Sequence, residues 1–168
     1  MATYQPSTKP LVGILTGSPN DLGVVEKAQE TLQSLGIVSE LAVLSAHRTP
    51  EQVTQYVREA PGRGVEVFIC CAGMAAHLAG AVAAQTLFPV IGVPLSAGGL
   101  NGLDALLATV QMPPGIPVAT VGVDGAKNAA YLAARILAIK HPFIIEKLNA
   151  DLATQRKRYD SPDKPRVR

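Results

Sequence analysis

The stretch Ser45-Ala-His-Arg-Thr-Pro50 sets an imidazole, a guanidinium and two hydroxyls directly behind an apolar run. An imidazole moves protons near neutral pH, and a guanidinium grips phosphate through a planar fork of donors. His47 is therefore a candidate proton carrier and Arg48 a candidate phosphate ligand, with surface or packing roles as the plain alternatives. Upstream, Gly17-Ser-Pro-Asn-Asp21 places a flexible backbone, the Ser18 hydroxyl and the Asp21 carboxylate at the start of a helical pattern. Backbone donors and the helix dipole favour an anion there, and Asp21 can accept hydrogen bonds from ribose hydroxyls. The competing reading is that Asn20 or Asp21 only caps the helix. The spacing fits neither a Walker loop nor a dinucleotide G-x-G-x-x-G, so neither ATP nor NAD is expected. In Ala72-Gly-Met-Ala-Ala-His-Leu-Ala-Gly80, small residues such as Gly73 and Ala75 either admit a ligand close to the backbone or only allow tight helix packing. His77 opens a helix, where the dipole disfavours a protonated ring, so it suits a neutral hydrogen-bond partner. The loop from Pro94 to Gly102 is flexible enough to cover a planar ring.

These loops recur at regular intervals because strands and helices alternate between them. Apolar runs at Leu11–Thr16, Ile37–Leu44, Val65–Ala72, Pro89–Pro94 and Ile116–Val121 read as strands. Helical spacing marks Asn20–Leu35, Pro50 to about Ala60, His77–Leu87, Gly102–Gln111, Asp124–Ile139 and a last helix over about Pro142–Arg158. Strands alternating with helices through short Gly-containing turns imply right-handed crossovers and a parallel sheet. The expected fold class is α/β: a three-layer αβα sandwich with a flavodoxin-like five-stranded parallel sheet and an extra C-terminal helix. In such sheets ligands bind beyond the carboxyl ends of the strands, where the polar loops lie.

A length of 168 residues fits one domain, with a core over about 10–140 and a helix and basic tail over about 141–168. The chain is 48% hydrophobic and 17% charged, an apolar surplus that burial in an oligomer would absorb. A net charge of +2, much of it toward the C-terminus, gives no support for a nucleic-acid groove, and no run is long and apolar enough for a membrane span. The N-terminus has no secretory pattern, so a cytoplasmic location is expected. Cys70 and Cys71 are adjacent, a geometry suited to two reduced core thiols rather than a disulfide. Three histidines without a C-x-x-C pattern suggest no metal site, and 4% aromatic residues with no Trp argue against a flavin carrier.

The loops together resemble those of the class I N5-carboxyaminoimidazole ribonucleotide mutases, the PurE family of purine biosynthesis. The resemblance also runs through Ala75-Ala-His-Leu78, Pro89-Val-Ile-Gly-Val-Pro94, Val110-Gln-Met-Pro113, Gly115-Ile-Pro-Val118 and Asn128-Ala-Ala. It implies transfer of a carboxylate from the exocyclic nitrogen of an aminoimidazole ribonucleotide to ring carbon C4, by decarboxylation and recarboxylation, without cofactor or metal. By the same resemblance His47 is the catalytic proton shuttle, Arg48 with Ser18 holds the phosphate and Asp21 the ribose. Ser45, Gly73, Ala75 and His77 border the ring and carboxylate, and the enzyme is a homo-octamer with its pockets at subunit interfaces. Three positions depart from the family pattern: Asn20 replaces a serine, Met74 a glycine and Ala79 a proline. The alternatives are a class II carboxylase using free CO2, against which His77 speaks, and a non-catalytic nucleotide-binding flavodoxin-like module.

Overall fold

The computed structural model describes residues 8–159; the first seven residues and the end of the basic tail lie outside the described residues. Five strands, β1 (Val12–Thr16), β2 (Ser39–Val43), β3 (Val67–Gly73), β4 (Val90–Leu95) and β5 (Ala119–Thr120), form one parallel sheet in the order β2-β1-β3-β4-β5. This is the flavodoxin-like order expected from the sequence. The central strands are apolar throughout because both faces are covered, and successive side chains alternate between the two. Ile14, Ile69 and Ile91 enter one core with Val25, Leu32, Ala130 and Ala134. Leu15, Phe68 and Cys70 enter the other with Val53, Val57 and Val82.

The first of these cores is closed by α1 (Leu22–Ser34), α5 (Ala126–Ala138) and α6 (Pro142–Lys157), the second by α2 (Pro50–Arg63) and α3 (Leu78–Ala83). α4 (Leu103–Val110) packs beside β4. α1 buries Val25, Ala28 and Leu32 at helical spacing, and α2 does the same with Val53, Val57 and Ala60. The paired thiols point into opposite cores, and burial pushes the Cys71 thiol up to about 12.

Several elements begin or end a residue or more from where the apolar pattern predicts, and for four of them backbone hydrogen bonding gives the reason. β2 starts at Ser39 rather than Ile37 because the Ile37 N–H bonds Leu32 O at the end of α1. α2 runs three residues past Ala60, through Pro61, and is closed by Gly64 and Val65, whose N–H groups bond Pro61 O and Ala60 O. β5 shrinks to two residues: Ile116 N–H turns back to Pro113 O, and Pro117 has no N–H to give the ladder. α3 stops at Ala83, where Gln85 N–H turns back to Val82 O.

At the amino end of β3, Glu66 accepts from Lys140 Nζ at 2.7 Å and pairs with His141 Nε2 at 3.0 Å. This ties the α5–α6 turn to the edge of the sheet away from the polar loops. Among the described residues, no helix is long and apolar enough to cross a membrane.

Candidate active site

The carboxyl ends of β1, β2 and β3 lie side by side, so their loops converge. Thr16 closes β1, fully buried, and its hydroxyl donates to Asp21 Oδ2 at 3.4 Å. Ser18 Oγ accepts from Asn20 N–H at 3.2 Å and so caps a single 3-10 turn, Pro19–Asp21. Neither Asn20 nor Asp21 caps α1 with its side chain: Asp21 occupies the cap position but makes no capping bond. Its carboxyl lines the cavity, and burial raises its pKa against the opposing bond from Thr16.

The second loop is wound into a closed turn. Ser45 O accepts from Thr49 N–H at 2.9 Å, Ser45 Oγ accepts from Arg48 N–H at 3.2 Å, and Thr49 Oγ1 accepts from Ser45 N–H at 2.9 Å. Ser45 thus fastens its own loop as well as bordering the site. His47 and Arg48, between these fastenings, are exposed.

The third loop leaves β3 through Gly73, where an added Cβ would lie 2.9 Å from Ala97 Cβ; a glycine is needed for the β4–α4 loop to approach. Met74 follows in the left-handed region at φ 53, with its side chain 58% exposed. His77 ends the loop, its N–H bonded to Ala75 O and its carbonyl to Ala81 N–H. His47 Nε2 and His77 Nδ1 lie 2.7 Å apart, with the two rings edge-on at 88°.

All of the site residues expected from the sequence line one cavity of about 350 Å³: Ser18, Asp21, Ser45, His47, Arg48, Gly73, Ala75 and His77. The cavity wall also includes Asn20 and Met74, two of the positions where the family pattern is broken, and Ala97 from the loop after β4. Ala97 carries no chemical signal; only the close approach at Gly73 brings it in. A larger groove of about 750 Å³ beside Leu87, Phe88 and Ile116 is lined by no titratable side chain. Among the described residues, no group of three or more His, Cys, Asp or Glu side chains is placed to hold a metal ion.

The model of the AIR carboxylase family matches residues 11–158. The chain belongs to the AIR carboxylase family. Within it, the chain is similar to the N5-carboxyaminoimidazole ribonucleotide mutase of Pyrococcus horikoshii, at 51% identity over 164 residues covering 98% of this chain and 93% of that protein. The mutase of the same name from Pyrococcus abyssi is 59% identical over 139 residues, 83% of this chain and 80% of the relative. The crystal structure of Treponema denticola PurE superposes with a TM-score of 0.85 at 31% identity, covering 94% of this chain and 100% of that one. The AIR carboxylase match spans every loop that lines the cavity.

Proposed function

We propose that the protein is an N5-carboxyaminoimidazole ribonucleotide mutase of purine biosynthesis, moving a carboxylate from the exocyclic nitrogen of its substrate to C4 of the imidazole ring. One observation carries the reading: an imidazole and a guanidinium from one loop and a carboxylate from another line one cavity, in a chain 51% identical to a mutase of that name.

In this mechanism Arg48, assisted by Ser18, holds the phosphate by charge-assisted hydrogen bonds, and Asp21 accepts from the ribose hydroxyls. The heterocycle then lies along Ser45, Gly73, Ala75 and His77. Protonated His47 gives a proton to the exocyclic nitrogen as its carboxylate leaves as CO2. The ring carbon C4 attacks the CO2, and the neutral imidazole recovers a proton from C4, so the enzyme ends as it began. Retention of CO2 needs proximity and a dry surround. In a single chain His47, Arg48, Ala75 and His77 are all exposed; in the homo-octamer that the family resemblance implies, neighbouring subunits supply the cover. A cytoplasmic enzyme of one domain, acting on a phosphorylated metabolite, fits this reading.

The test is to supply purified enzyme with the N-carboxylated ribonucleotide, and separately with the uncarboxylated ribonucleotide and CO2. Rapid isomerisation of the first supports the proposal. Turnover confined to the second overturns it in favour of a carboxylase.

A further inference from the structure

We propose that His77 is a positioning residue for His47, resting on the function above: it holds the proton-carrying ring with Nε2 engaged and Nδ1 turned to the substrate. The two residues are thirty positions apart in sequence, yet His47 Nε2 and His77 Nδ1 meet at 2.7 Å. At that distance one nitrogen donates and the other accepts, so the bond selects a tautomer for both rings.

Both rings stand on pinned backbone. His47 lies inside the turn fastened by Ser45 and Thr49, and His77 is bonded through its own N–H and carbonyl to Ala75 and Ala81. Neither His47 Nδ1 nor His77 Nε2 has a hydrogen-bond partner among the described residues. The other charged side chains lining the cavity are Asp21 and Arg48, already engaged with the sugar and phosphate in the proposed mechanism. His47 Nδ1 is therefore the nitrogen free to meet the ring. When it takes the C4 proton, the imidazolium keeps its Nε2–H on the neutral His77 Nδ1, which stabilises the charge without giving up or gaining a proton. A ring held in this way loses little orientational freedom on reaching the transition state.

His77 also borders the heterocycle, and its orienting role separates kinetically from that contact. A substrate contact, once removed, raises KM, whereas a lost orienting bond lowers kcat. His77→Leu is expected to lower kcat by ~10- to 100-fold with KM within about twofold, and His77→Asn, whose amide can reach a similar position, to recover most of that loss. Nitrogen-15 spectra of the imidazoles should show one dominant His47 tautomer in the parent and a mixture in His77→Leu. A kcat for His77→Leu within twofold of the parent, a rise in KM alone, or no recovery with Asn overturns the assignment. His47→Asn serves as the reference: if it is inactive while His77→Leu is normal, only the positioning role falls; if it too is active, the proton-shuttle reading itself falls.

Discussion

At the scale of single residues, His47 and Arg48 are adjacent but carry separable work. His47→Asn keeps a polar side chain of similar reach and removes proton transfer; kcat is expected to fall by ~10²- to 10⁴-fold, with substrate binding largely retained in a titration. Arg48→Ala removes a charge-assisted grip worth about 1.5–3 kcal/mol, so steady-state kinetics should show KM raised by ~10- to 100-fold. An unchanged KM would contradict a phosphate contact. Met74 offers a prediction of the opposite sign. Its φ of 53 puts a side chain where L-residues pay about 1–2 kcal/mol. Met74→Gly relieves this but adds freedom to the unfolded chain, for a net gain of about 0.5–1 kcal/mol, visible as a higher urea midpoint. The sequence marked this position only as a departure; the backbone angle shows why glycine suits it.

At the scale of elements, the tie between Glu66 and the α5–α6 turn has a definite pH dependence. Burial would raise the Glu66 carboxyl, but the bonds from Lys140 and His141 outweigh it and hold the group below its ordinary value of 4.5. A depressed carboxylate stabilises the fold above its unfolded pKa, and that contribution disappears as pH falls through its folded value. Glu66→Gln should therefore cost about 1 kcal/mol or less near neutrality and flatten the loss of stability below pH 4.5, measured by denaturation across pH. The sequence displayed the parallel sheet and the loops at its carboxyl edge plainly, because buried strands read as apolar runs and helices by their spacing. It did not display how far β5 or α3 extends, since that depends on which N–H finds a partner, as at Ile116, Pro117 and Gln85. Nor did it display the bond between His47 and His77, which exists only once β1 stands between β2 and β3.

At the scale of the whole molecule, the apolar surplus in the composition becomes a surface. Leu103, Leu107 and Val110 form an exposed stripe along α4 at 54%, 46% and 51% exposure, with Leu100 at 61% just before it. The helix follows the loop that brings Ala97 to the cavity wall, so a neighbour seated on this face would also bear on the mouth of the site. If the proposed homo-octamer uses this face, the double variant Leu103→Glu/Leu107→Glu should give smaller species by light scattering and reduce turnover together. A full-size assembly would show that this stripe is not the contact. The remaining consequence lies in the length of β3. Its seven residues, at about 3.3 Å each, put roughly 20 Å between the acid-sensitive anchor at one edge and the proton chemistry at the other. Perturbations at Glu66 and Met74 share no partner across that span, so the free energies of the two substitutions should sum in the double variant. Tolerance of acidic conditions and the resting stability of the cavity wall can then be tuned as independent traits of one scaffold.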